Sequence, residues 1–288
     1  MLLSTLIVGL VLGGTFALMA LGLTIQYGVA RVMNLAYGEL VIGGSFLTYL
    51  TIMAFGLDPF SALAIVVPFG YAASYMLYAT VMRPLERRSG GSGRLEVDSI
   101  LVTFGLMFLL QGIYALSFGS GFTGYSWLEL PVDILGTKVA ASRLIGALLA
   151  LAVGSALFFA MQKTRWGMAM RAVASRPGFA PLVGIDNERH ARAAFATGGA
   201  LAAAGGVILS MFQPFTPTDG VFVTMKALVI IIMGGVGNLA GAIAAALMLG
   251  LIEAGVSAAV DPGLTLAATY AIFLAVLLWR PNGLFNRG

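Results

Sequence analysis

The chain has no cysteine and a single histidine, His190, in 288 residues. The first absence excludes disulfides, thiolate nucleophiles and cysteine metal sites. The second excludes every metal centre that needs two imidazoles and leaves an intramembrane serine–histidine enzyme without support. Charge is scarce as well. Asp, Glu, Lys and Arg make up 10% of the chain, against about 25% in an ordinary soluble domain. No Gly-x-x-x-x-Gly-Lys-Ser/Thr phosphate loop occurs, so ATP is not held here in that way. No zinc-protease motif occurs either. No charged residue falls in positions 1–30, and a secretory leader opens on a basic stretch, so this run reads as a permanent first span.

What is present is apolar length. Hydrophobic residues reach 59% and mean hydropathy is +0.97. A helix crosses the hydrocarbon core with about 20 apolar residues. Candidate spans are 4–29, 35–55, 60–82, 98–118, 142–161, 191–213 and 264–279. The stretch 221–258 is too long for one crossing and is broken near Gly234-Gly235-Val236-Gly237-Asn238. The fold class is therefore all-α. It is a polytopic transmembrane bundle of about eight spans, with a broken or short pair of segments at 221–258. These runs far exceed barrel strands, and only helices or closed barrels satisfy their backbone in lipid.

Basic residues orient the bundle. Thirteen of the 16 Lys and Arg sort to one end: Arg31, the 83–98 loop, the 163–192 loop and the tail. Lys138, Arg143 and Lys226 remain for the other end. This sorting explains the pI near 9.5 without nucleic acid. It predicts a multi-pass membrane protein with a cytoplasmic C-terminus.

Three stretches carry candidate chemistry. Asn34-Leu-Ala-Tyr37-Gly38-Glu39 places a carboxylate deep in the apolar zone, where an ionisable group is functional by default or clamps neighbouring helices. Gly234, Gly235, Gly237 and Asn238 interrupt a second apolar run, either as a tight turn or as broken-helix backbone open to a solute. Asn34-Leu-Ala and Asn238-Leu-Ala echo one another. The two stretches are expected to line one substrate path. Lys226 is expected to snorkel to headgroups, and Glu253, inside a span, has no assigned role. The third stretch is the loop at 163–190, read as a coupling element within one transmembrane domain covering 1–288. Arg165 to Ala174 can be helical. Pro177 can start a second short helix and Gly184 can end it. Phe179, Ala180, Leu182 and Val183 then form an apolar face for a partner's groove. Topology alone requires only the charge.

The loop sequence Thr164-Arg-Trp-Gly-Met-Ala-Met-Arg171-Ala-Val-Ala, followed by Leu182-Val-Gly184-Ile185-Asp186, resembles the ATPase-coupling loop of LivH-type branched-chain amino acid permeases. Four further pieces resemble that family in order: Tyr27 to Glu39, Lys226-Ala-Leu, Gly234-Gly-Val-Gly-Asn238 and Arg280-Pro-Asn-Gly-Leu-Phe285. The chain departs from the pattern at Tyr37 and Leu35, where members often have His and Phe. The resemblance implies a transport subunit of a bacterial cytoplasmic (inner) membrane, not an enzyme. Its expected partners are a second permease subunit in a heterodimer, two cytoplasmic ATPase subunits that hold ATP and magnesium, and an extracytoplasmic solute-binding protein. This chain is expected to carry no cofactor. Coupling to the ATPase is expected of Arg171, Arg176, Pro177, Phe179, Ala180, Leu182, Gly184, Ile185 and Asp186. The expected solute is a branched-chain or other small amino acid. The alternatives are urea or short amides on the same architecture, or a passive channel for a small neutral solute, which would give the 163–190 loop no role.

Overall fold

A computed structural model describes residues 2–89, 92–128, 130–134, 137–280 and 283–285. Eleven α-helices occur among them. They are α1 (Leu2–Ala30), α2 (Tyr37–Phe55), α3 (Pro59–Leu77), α4 (Arg83–Arg88), α5 (Ser92–Phe118), α6 (Ala141–Lys163), α7 (Arg165–Ser175), α8 (Asn187–Ser210), α9 (Asp219–Gly234), α10 (Leu239–Ala259) and α11 (Thr265–Trp279). A π-helical turn at Tyr78–Met82 joins α3 and α4 into one rod. The one sheet among the described residues is a hairpin of β1 (Pro131–Ile134) and β2 (Thr137–Ala140). Eight helices are long and apolar enough to cross a membrane, so the protein is a multi-pass membrane protein.

The centre of the bundle is α1 and α8. Between Thr15 and Gln26 almost every α1 residue is buried, and so is most of α8 from Ala194 onward. The α8 sequence explains this. Its Ala-Thr-Gly-Gly-Ala-Leu-Ala-Ala-Ala-Gly-Gly core presents almost no side chain, so neighbouring backbones come close, as in small-residue packing within membranes. At Gly206 an added Cβ would meet the backbone carbonyl of Val41 on α2. Long apolar side chains on α3, α5 and α11 instead stay exposed at the periphery.

Two breaks depart from straight helices. The first is 31–36, between α1 and α2, where Arg31 has φ 52°. The second is 211–218, where the chain dips back after α8. Phe215 is fully buried there and pairs with Thr123 through two backbone hydrogen bonds of 2.9 Å. The 16-residue α9 therefore starts below the surface. At about 1.5 Å per residue it covers roughly 24 Å, less than the hydrocarbon thickness of about 30 Å. The segment 221–258 thus consists of one short arm and one full span.

Candidate solute path and coupling surface

The first break lies within the bundle, so its backbone needs partners from protein side chains. Ser99 Oγ accepts from Met33 N (3.1 Å) and Thr103 Oγ1 accepts from Leu35 N (3.0 Å). Thr224 Oγ1 on α9 accepts from Gly38 N (2.8 Å) and lies 3.1 Å from the Leu35 carbonyl. Asn34 Oδ1 accepts from Ala36 N, and its Nδ2 donates to Gln26 Oε1, each at 3.1 Å. Tyr37 donates to the Met19 carbonyl at 2.7 Å. Three hydroxyls and an asparagine thus replace the helical bonds that the unwound stretch gives up.

Glu39 sits one turn into α2, fully buried. Its Oε1 accepts from Gln111 Nε2 on α5 (2.9 Å), while Oε2 has no hydrogen-bond partner. The carboxyl occupies the space that a side chain at Gly220 would fill, and Gly38 abuts the Gly220 carbonyl. Here glycine is required for close approach. Asn34, Tyr37, Gly38 and Glu39 therefore form a joint between α1, α2, α5 and α9.

Gly234 to Asn238 lies elsewhere, at the end of the bundle that carries the basic loops. Gly235 and Gly237 take φ of 91° and 79° and turn α9 into α10. Asn238 Oδ1 caps α10 through Gly241 N (3.0 Å), and Nδ2 donates to the Phe285 carbonyl (2.9 Å). Leu284 N adds a bond to the Met233 carbonyl (2.8 Å). Gly237 shares a cavity of about 460 Å³ with Arg31, Arg171, Tyr27 and Glu96. The two stretches engage different partners: Gln26, Gln111 and Thr224 hold Asn34 to Glu39, whereas Gly241, Leu284 and Phe285 hold Met233 to Asn238. The asparagine echo marks two helix starts at different depths, because each amide satisfies backbone donors left by a break.

A correction concerns Lys226, which turns inward. Its Nζ lies 2.9 Å from Glu253 Oε2 and 4.8 Å from the centre of the Phe16 ring. Thr269 on α11 donates to the other oxygen of Glu253 at 2.9 Å. Burial leaves the ammonium cheaper paired than stretched to the surface, since a lone charge in this setting is costly. The pair borders a cavity of about 350 Å³ between α1, the end of α8, α9 and α10, into which Asp219 also faces. Toward the end opposite the basic loops lies a wider cavity of about 650 Å³ with Arg143, Tyr125 and Ser142. Phe212 and Gln213 line both cavities. Sequence reading missed Asp219 and Glu253 as partners of one cavity. The available signal was an isolated ammonium and an isolated carboxylate in consecutive apolar helices.

At the basic end, α7 is amphipathic. Gly167, Met170 and Val173 face the core, and Arg165, Met168 and Arg171 face out. Thr164 caps it by accepting from Gly167 N. Arg176 begins a tight turn, its carbonyl accepting from the Phe179 and Ala180 amides. The second helix expected from Pro177 is one 3-10 turn, Ala180–Val183, closed by Gly184 at φ 77°. Pro177 instead offers its carbonyl to Asn187 Nδ2 at 2.7 Å. Phe179, Leu182 and Val183 are 63%, 80% and 73% exposed, whereas Ala180 is 3% exposed and packs with Met170 and Val173. Ala180 therefore anchors the turn and does not belong to its outward face. Ile185 packs on the same core, and Asp186 caps α8 through Arg189 N. Arg171 bonds Gln162, and Arg31 reaches the Ala174 carbonyl at 3.5 Å. The residues expected to couple thus divide into ones displayed outward (Phe179, Leu182) and ones that shape or hold the segment (Arg171, Arg176, Pro177, Ala180, Gly184, Ile185, Asp186).

A bundle of apolar spans, with polar cavities inside it and an apolar turn displayed at one end, is the architecture of a membrane transport subunit. A family model described as the branched-chain amino acid transport system / permease component matches residues 5–279. The chain belongs to that family. It is 28% identical to the high-affinity branched-chain amino acid transport system permease protein LivH of Salmonella typhimurium, covering 97% of this chain and 94% of that one. BraD of Pseudomonas aeruginosa, with the same description, is 27% identical over 99% and 96% of the two chains. The autoinducer 2 import system permease protein LsrC of Escherichia coli is 27% identical over 51% of this chain and 43% of its own length.

Proposed function

We propose that this chain is the membrane-spanning permease subunit of an ATP-binding-cassette importer, with the basic end in the cytoplasm. Its solutes are branched-chain or other small amino acids, delivered by an extracytoplasmic binding protein. The observation that carries the proposal is the turn at Phe179–Val183. Three large apolar side chains stand exposed among arginines, on a segment that buried Ala180 anchors to the core and Gly184 closes in the left-handed region. An aqueous surface of that kind calls for a groove on a partner. ATP with magnesium belongs to two ATPase subunits seated there, and a second permease subunit completes the membrane part.

Motion has a defined route. The turn and α7 share one core, so they move as a unit. Arg31 ties α7 to the end of α1, and the break after Arg31 is bonded to Thr224 on α9. Displacement of the turn thereby reaches the helix that carries Asp219 and Lys226. Coupling requires that the ATPases bind the turn more tightly in one of two arrangements of this route. The solute assignment is supported by the descriptions of the full-length relatives LivH and BraD.

The test uses the assembled importer in vesicles. Leu182→Asp and Phe179→Ser should leave insertion and yield intact, abolish ATP-driven leucine uptake, and release the ATPases during purification. Retained uptake and retained ATPases in both variants overturn the docking surface. Leucine uptake that persists without ATPase subunits marks a passive channel and overturns the importer. The chain lacks cysteine, so sidedness is read directly. With an impermeant thiol reagent applied outside, Phe122→Cys should react and Arg176→Cys should not.

A further inference from the structure

The 350 Å³ cavity beside α9 sits at the small end of the range for ligand sites, roughly 300–1,000 Å³. Its polar groups are few and of both signs. Asp219 faces it with Oδ2 engaged by Thr216 N at 2.7 Å, and Oδ1 has no hydrogen bond among the described residues. Lys226 faces it from two turns further along α9. Glu253 holds one of its N–H groups and the Phe16 ring covers another side, and donors remain toward the cavity. Seven residues separate Asp219 from Lys226, about 10 Å along the axis. The lysine stem leans toward the helix N-terminus, as helical side chains do, and so shortens that gap. Thr15 and Gln213 add uncharged polar groups, and the rest of the wall is apolar, formed largely by Met19, Leu209, Phe212, Val223 and Ile230.

From these positions we infer that the cavity is a binding site for one free α-amino acid zwitterion with an apolar side chain. Asp219 Oδ1 accepts from the solute ammonium, and Lys226 Nζ donates to its carboxylate. The side chain lies on the Met19, Leu209 and Ile230 wall. Glu253 and Thr269 are positioning residues that hold Lys226 in place. The site rests on the importer reading above and adds to it the groups that select the solute. A solute without an ammonium leaves Asp219 without a counter-charge, and one without a carboxylate leaves the Lys226 donors on the cavity side unengaged; each buried polar group left unpaired lowers affinity. The solute enters from the 650 Å³ cavity past Phe212 and Gln213, which line both spaces.

This chain has no native thiol, so alkylation is read on this chain by its mass. Val223→Cys is close to isosteric and puts one thiol in the cavity wall. Ala227→Cys provides a second position on the same wall. Alkylation by a small methanethiosulfonate is timed in the assembled importer with L-leucine, L-leucinamide (no carboxylate) or 4-methylpentanoate (no ammonium). At leucine tenfold above its Kd, mass action slows the reaction about tenfold. The two analogues should leave the rate unchanged at that concentration. Asp219→Asn should remove the protection, and Asp219→Glu should restore part of it. Lys226→Gln combined with Glu253→Gln, which avoids a lone buried charge, should remove it as well. Full protection by either analogue, or none by leucine in an importer that still takes leucine up, overturns the site alone. An unsubstituted importer that takes up none of leucine, isoleucine, valine and alanine overturns the parent reading and the site with it.

Discussion

Glu39 and Glu253 are the two carboxylates set inside apolar spans, and the structure treats them oppositely. Glu253 has both oxygens engaged, by Lys226 and Thr269, and stands at the edge of a cavity. Glu39 has one neutral partner and one oxygen without a hydrogen bond, and is enclosed by Gln111 and the glycine at the head of α9. One belongs to a charge pair exposed to a solute-sized space. The other fills a joint. A charge in a membrane span signals that something holds it there; its neighbours decide whether that something is mechanical or chemical.

The sharpest way to break this contrast is at Lys226. Replacing it by Ala leaves Glu253 buried and unpaired, a loss of about 3–5 kcal/mol for a broken buried pair. The expected result is a large drop in yield and in the unfolding temperature in detergent. Lys226→Met combined with Glu253→Gln should recover most of that stability while leucine uptake stays lost. If the single change is stable, the pair holds nothing together.

The joint is tested next. Gly220→Ala drives a methyl into the Glu39 carboxyl, and overpacking of this kind costs about 1–3 kcal/mol. Combining it with Glu39→Ala, which vacates the space, should cost less than the sum of the two single changes. Additive losses in a thermal-unfolding cycle show that the two residues do not meet.

Smaller effects separate clamp from path at Glu39 itself. Glu39→Leu strips Gln111 of its acceptor and should destabilise by about 1–3 kcal/mol. Glu39→Gln keeps the shape and an acceptor, so stability should change by less than about 1 kcal/mol and leucine uptake should stay near normal. Uptake that collapses in Glu39→Gln at full complex yield moves Glu39 from the joint to the path. Smallest for the fold is Arg31→Ala, which removes one 3.5 Å bond to α7. It should lower the uptake obtained per ATP hydrolysed and leave the unfolding free energy within about 0.5 kcal/mol of the parent chain.

Composition and apolar run lengths were enough to determine an all-α membrane bundle and the positions of its long spans. A 20-residue apolar run has few alternatives to a spanning helix, because lipid offers the backbone no partner. Sorting of arginines placed the 163–190 loop and the Arg31 break at one end, and Gly184 marked the close of the displayed turn. Other features depended on which helices lie side by side. Nothing local tells Phe179 and Leu182, which point out, from Ala180, which points in; that follows from how α7 lies on α1 and α6. Asn34 and Asn238 share a tripeptide, yet one lies in a buried joint and the other caps a helix at the basic end, since depth is set by the whole bundle. The sequence around Lys226 reads as a snorkelling lysine. Only the approach of α10 and α11, bringing Glu253 and Thr269 within 2.9 Å of their partners, makes it one side of a charged cavity, because pairing energy depends on distance in space and not on separation along the chain.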